Sequence, residues 1–156
     1  MNPYRIGFFR LFIMGLITLA SSFWVIIEKL YLIAEIRKSV KKARIYAAYV
    51  SKPTLNYGCG DTNFGDVNVD IVPRSVSNFV LIEPSPTQLP FPSKHFGAVI
   101  CSHVKEHVPD PEALERDLER VADRVFMVVP SPIFLWTWLW PEHKWVFING
   151  KAVQLR

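Results

Sequence analysis

The residues of this chain best suited to chemistry are two glycines and an acid. Leu55-Asn56-Tyr57-Gly58-Cys59-Gly60 is a short apolar run broken by glycine, and Val67-Asn68-Val69-Asp70 is a second run ending in a carboxylate. Glycine has no side chain and tolerates left-handed dihedrals, so backbone at Gly58 and Gly60 can approach a ligand closely. A carboxylate at the tip of the neighbouring strand can accept hydrogen bonds from both hydroxyls of a ribose. Strand, glycine turn, strand, acid is an order that can hold a nucleoside.

A second constellation is His103-Val104-Lys105-Glu106-His107, which fits the pattern HxxEH. On a helix, two such imidazoles bind zinc one turn apart and the glutamate activates water. Here the segment directly follows an apolar run, and Pro109 leaves little room for a helix. His143 or Glu142 are the residues that could be proposed as a third ligand. The expectation is no metal site, with His107 as a candidate general base or a histidine that packs and bonds to backbone. Cys59 and Cys101 lie in apolar contexts without CxxC or Cys/His spacing, which predicts reduced thiols and no structural zinc.

These residues need a scaffold. At 156 residues the chain has room for one domain and little else. Five strands are expected, at Thr54 to Tyr57, Val67 to Asp70, Asn78 to Ile82, Gly97 to Ser102 and Val125 to Val129. The last is apolar throughout, as for a strand covered on both faces. Asp110 to Val121 is the clearest helix. Asp110 can cap it, Pro111 suits its first turn, and Leu114, Leu118 and Val121 share one face. Only Asp61 to Asp66 separates Gly60 from the second strand. A full crossover needs about a dozen residues, so any helix there is vestigial. Asn149-Gly150 favours a type I′ turn between two short terminal strands. Trp136, Trp138, Trp140 and Trp145 could line a pocket, rest at a membrane interface, or simply cover the last strand.

The net charge is +4, and much of the basic excess follows an apolar segment. Leu11 to Ile27 holds 17 residues without a charge, at the short end of what spans about 30 Å of hydrocarbon. We expect a transmembrane helix here; a cleaved signal peptide ending near Ala20-Ser21-Ser22 and a soluble buried or interfacial helix are the competing readings. Arg37, Lys38, Lys41, Lys42 and Arg44 follow, against Arg5 and Arg10 before the segment. That excess puts the rest of the chain in the cytoplasm, where the cluster should attract anionic membrane lipids. No aromatic platform accompanies it, so nucleic acid is not the expected partner. Lys52-Pro53 marks a linker, giving an N-terminal part over 1–50 and a globular domain over 51–156.

Taken in order, Leu55 to Gly60, Val67 to Asp70, Leu89-Pro90-Phe91-Pro92, Phe96 to Ser102, His103 to Val108 and the helix to Val121 resemble the class I S-adenosylmethionine-dependent methyltransferases, of the short type 11 kind. The likeness covers about residues 54 to 132. It implies an α/β, Rossmann-like, open and mostly parallel sheet, preceded here by the transmembrane helix. It implies S-adenosyl-L-methionine as cofactor, with Gly58 and Gly60 beside its methionine part and Asp70 on the ribose. The loop leading to Leu89 would flank the adenine, and Ser102 and His103 would lie near the sulfonium. The methyl acceptor would be a small or lipid-linked molecule. Asn56, Gly97 and Lys105 depart from the family pattern, which usually has Asp, Asp and Leu there. Two functions are therefore carried forward: a membrane-anchored methyltransferase, and a non-catalytic methyltransferase-like binding or scaffold module.

Overall fold

The computed structural model describes the backbone of residues 3–83 and 88–155, with side chains from residue 21 onward. Two compact units emerge, Met1–Ala34 and Glu35–Arg156. The first is helical: α1 runs over Pro3–Tyr49 and extends into the second unit. Among the described residues no helix is long and apolar enough to cross a membrane. The first ten positions of the expected span, 11–20, lie outside the residues whose side chains are described.

The second unit is built on a parallel sheet of β1 (Thr54–Tyr57), β2 (Val67–Asp70), β3 (Phe79–Leu81), β4 (Phe96–Ser102) and β5 (Ala122–Val128), in the order β3-β2-β1-β4-β5. All four pairings are parallel, with Leu55 beside Val67 and Val99. This is the open Rossmann-like sheet that the sequence predicts. Alternation of side chains gives it two different faces. Leu55, Tyr57, Val69, Val99 and Cys101 point to a core closed by Leu118 and Val121 of α2 (Pro111–Val121). Leu55, Val69, Leu118 and Val121 are fully buried, and such side chains contribute about 1.5–3 kcal/mol each. Asp110 caps α2 as expected, its Oδ1 accepting from Glu112 N at 3.1 Å and Ala113 N at 2.8 Å.

Ala98 and Ile100 form a second core with Val40, Ala43 and Ala47, so the last turns of α1 cover the opposite face. The fit there is close. A Cβ on Gly97 would lie 2.8 Å from Val50 Cγ2 and 2.9 Å from Ala47 Cα. The absence of a side chain at position 97 thus lets α1 seat at the start of β4, far from the carboxyl ends of the strands.

The connection from β1 to β2 contains no helix, and a buried amide network organises it instead. Asn56 Nδ2 donates to Thr62 O at 3.1 Å and to Asn68 Oδ1 at 3.0 Å. Asn68 Nδ2 donates to Asn63 Oδ1 at 2.8 Å and Ser77 O at 2.8 Å, while Asn68 Oδ1 accepts from Gly65 N at 3.2 Å. Arg44 of α1 closes the outside, its Nε donating to Phe64 O at 3.1 Å. Asn56 supplies amide hydrogens to these acceptors, which an aspartate could not, and that explains Asn56 where the family usually has an acid.

Two expectations need correction. Most of β5 is only half-buried, because it is the edge strand and, among the described residues, no further strand continues the sheet. Trp136, Trp138 and Trp140, on and beside α3 (Leu135–Leu139), are 48%, 38% and 46% exposed rather than packed over that strand. The terminal hairpin forms as predicted from β6 (Trp145–Ile148) and β7 (Lys151–Gln154), as a separate antiparallel pair. Asn149 and Gly150 both have positive φ, 50° and 78°, as a type I′ turn requires.

Candidate functional site

The strand order reverses between β1 and β4, and an open α/β sheet binds ligands in the crevice beyond the carboxyl ends at that point. Gly58 follows β1 and His103 follows β4, so the sheet brings the two predicted loops together. Gly58 and Gly60 have φ of +66° and +50°, conformations that a side chain would strain. Their free faces differ. A Cβ on Gly58 would lie 2.2 Å from Val104 Cγ2, so the loop after β4 fills that space, whereas nothing lies within 4 Å of the Cβ direction of Gly60.

Asp70, at the end of β2, turns its side chain back to this open glycine. Its Oδ2 accepts from Gly60 N at 2.8 Å, and its Oδ1 accepts from Val72 N at 3.1 Å. Arg74 Nε stands 3.6 Å from Oδ2. The residue is 8% exposed. An ionised carboxylate offers about four acceptor sites, so these two backbone bonds leave room for a diol. Open space at Gly60 beside an acid with acceptor capacity fits the ribose end of S-adenosylmethionine.

Leu89 is buried rather than presented at the surface, and α2 grips its backbone. Asp117 Oδ2 accepts from Leu89 N at 2.6 Å, and Arg120 donates to Leu89 O at 2.9 Å and Phe91 O at 2.8 Å. Arg120 Nε also pairs with Asp117 at 2.7 Å. Sequence reasoning missed this clamp; its available sign was an acid and a base three apart on one helix face. The residues at 84–87 that precede this loop, within the stretch expected beside adenine, lie outside the described residues.

Tyr57 and the thiols are chemically quiet. The Tyr57 hydroxyl is pushed up to about 12, first by burial and then by the acidic groups Cys101, Asp117 and Asp70 nearby. Burial is also the main cause that raises the thiols of Cys59 and Cys101. Thiolate is the reactive form, so this burial disfavours the reactive state of both cysteines.

Beyond Ser102, the last residue of β4, the chain turns sharply. His103 has φ of +56° and its N–H donates to Val128 O at 2.9 Å. Residues 103–109 form turns, not a helix, so the HxxEH spacing does not stack its imidazoles one helical turn apart. Glu106 is fully buried, with Oε1 3.1 Å from His103 Nδ1 and 3.9 Å from His107 Nε2. Its backbone carbonyl accepts from Lys144 N at 2.8 Å and Trp145 N at 3.2 Å, which ties the hairpin to this loop. Lys105, the other departure from the family pattern, pairs with Glu115 of α2 and lies 4.9 Å from the centre of the Phe147 ring. His143 is drawn in by the same join, its ring centre 5.0 Å from that of His107.

The five exposed cations Arg37, Lys38, Lys41, Lys42 and Arg44 are not equivalent. Arg44 is engaged with the carbonyls of the β1–β2 connection, and Lys38 pairs with Glu35 at 3.4 Å.

No curated protein and no solved structure gives a significant match to this chain. The family described as a methyltransferase domain does match, over residues 32–124. That stretch is more than half of the sequence and takes in the covering turns of α1, the glycine turn, Asp70 and α2, so the chain belongs to the methyltransferase domain family.

Proposed function

We propose that this protein is an S-adenosylmethionine-dependent methyltransferase, tethered to a membrane by its N-terminal helix with the sheet domain in the cytoplasm. The observation that carries the reading is the bond from Gly60 N to Asp70 Oδ2, 2.8 Å long, beside a glycine with an open face. When bound, the cofactor supplies an activated methyl group on a sulfonium. Asp70 accepts hydrogen bonds from the ribose hydroxyls, while Gly58 and Gly60 hold the turn against the chain's own acid. Ser102 and His103 stand at the tip of β4, and aligning an acceptor there is the chain's main task. His107 is oriented by the carbonyl of Glu142, 3.0 Å from its Nδ1, which leaves Nε2 with a free lone pair.

Two further observations support the membrane part and an acceptor of lipid character. Phe23, Trp24 and Ile26, in the last turns of the uncharged run, are exposed on α1, as is Leu30 just beyond Glu28 and Lys29. Ile133, Leu135, Trp136, Leu139 and Trp140 form an exposed apolar stretch before the hairpin, of the kind that marks a lipid or ligand surface.

The second reading, a binding module without catalysis, is favoured by one contact. Val104 occupies the space at Gly58, where the family resemblance puts the methionine part of the cofactor.

Calorimetric titration of S-adenosylmethionine into the full chain in detergent micelles separates the two. The enzyme reading expects saturable binding, weakened by about 1–3 kcal/mol in Asp70→Ala, the cost of stranding buried partners. Circular dichroism checks that the variant is folded. Absence of binding by the folded wild type, or equal binding by the variant, rules the enzyme reading out.

A further inference from the structure

We propose that Glu106, His107 and His143 form a site for a divalent transition metal of the zinc class. Their donor atoms, one per residue, all lie within 4.8 Å of one another. In a tetrahedral zinc site with bonds of about 2.0–2.1 Å, donors sit about 3.3 Å apart. Closure therefore needs a side-chain movement, which the partly exposed His107 can make by turning about its Nδ1 bond to Glu142 O.

The two imidazoles are already set in the ligating tautomer. His107 Nδ1 is 3.0 Å from Glu142 O, and His143 Nδ1 is 2.8 Å from Thr137 O. A carbonyl oxygen only accepts, so each Nδ1 carries the proton and each Nε2 presents a lone pair. An outer nitrogen fixed by a carbonyl is the usual support of a metal-bound histidine.

Glu106 gives the independent sign. It is fully buried, and neither carboxylate oxygen accepts a hydrogen bond. Taking a carboxylate out of water is costly unless a cation or hydrogen bonds compensate it. A divalent ion between Oε1 and the two Nε2 atoms offsets that cost. His103, with Nδ1 3.1 Å from Oε1, positions the carboxylate.

Two imidazoles and one carboxylate suit zinc and leave a fourth position for water or another ligand. The ligands come from the loop after β4 and the segment before β6, so the ion fastens the terminal hairpin to the loop whose Val104 touches Gly58. This differs from the zinc-protease pattern in which His103 and His107 would both ligate. It also reverses the expectation from sequence that the chain holds no metal, because His143 is far along the chain and only the hairpin brings it here.

The test uses the full chain in detergent micelles, purified with a histidine-free tag and stripped with chelator. Cobalt(II) is titrated in, followed by zinc. The expected result is one cobalt per chain with the intense visible bands of tetrahedral coordination, displaced by zinc. His143→Ala and His107→Ala should each weaken binding by more than the roughly 10–100-fold that losing an outer partner costs. His95→Ala should bind as wild type. His107→Ala, at the more exposed ligand, keeps the test decisive if His143→Ala does not fold. A folded wild type that develops no tetrahedral bands, or His107→Ala binding undiminished, overturns the site and leaves His103 as the neighbour of the Glu106 carboxylate.

Discussion

Replacing Asn56 by the aspartate usual in the family should damage this protein, although the two side chains have the same shape. Asn56 is 2% exposed, and its Nδ2 donates to Thr62 O, Thr62 Oγ1 and Asn68 Oδ1 at 3.1, 3.2 and 3.0 Å. In Asn56→Asp these acceptors face a carboxylate oxygen. Asn68 cannot turn its amide over to help, because its Nδ2 already serves Asn63, Gly65 and Ser77. Thr62 Oγ1 could donate only by giving up its 2.6 Å bond to Cys59 O. Two donations are lost, at about 1 kcal/mol each, and an unpaired buried charge raises the cost to about 3–5 kcal/mol near neutral pH. The sign with pH follows from burial, which raises the folded-state pKa of the new acid above its unfolded value. The charge penalty is absent where the acid is protonated in both states, below the unfolded pKa of about 4. It then grows by about 1.4 kcal/mol per pH unit until the folded-state pKa is passed. Urea unfolding followed by tryptophan fluorescence, wild type against variant across pH 4 to 8, measures this difference. A variant within about 0.5 kcal/mol of wild type at pH 7, or one that loses more stability in acid, would show that the network does not hold the connection.

Three other outcomes are expected. In Asp66→Asn the carboxylate that accepts from Thr54 N and Oγ1, both at 2.8 Å, is lost. These bonds hold the Asp66 carboxyl below its usual range, so its stabilisation is present above the unfolded carboxylate pKa and fades as pH falls through the folded value. Urea midpoints of the two proteins should therefore differ at pH 7 and converge in acid. Gly97→Ala places a Cβ against Ala47 and Val50, and thermal melts should record a loss of about 1–3 kcal/mol from overpacking; an unchanged melt would mean that α1 does not seat there. Cys59 and Cys101 are both buried, so native protein should react slowly with a thiol-specific disulfide reagent at pH 8 and rapidly in denaturant, and fast native labelling would contradict the packing.

Features set by neighbours a few residues apart were legible in the sequence. Pro111 behind Asp110 announced α2, Asn149-Gly150 announced the hairpin, and the run to Gly58 announced β1 and its turn. The short Asp61–Asp66 stretch correctly predicted a crossover without a full helix. Asn56, Gly97 and Lys105 looked like defects against the family pattern, because their reasons are contacts with distant residues: the amide network, the seat of α1, and the bridge from α2 to the hairpin.

The sequence by itself determined the parallel strands, the capped helix, the turn glycines and the acid at 70, since these follow from local dihedral preference and alternation. Only the tertiary structure decided that one stripe of the basic helix is apolar enough to close the sheet, that Asp70 bends back onto Gly60, and that Glu106, His107 and His143 meet. Those outcomes depend on where long connections return in space, and no pattern within a few residues encodes that path.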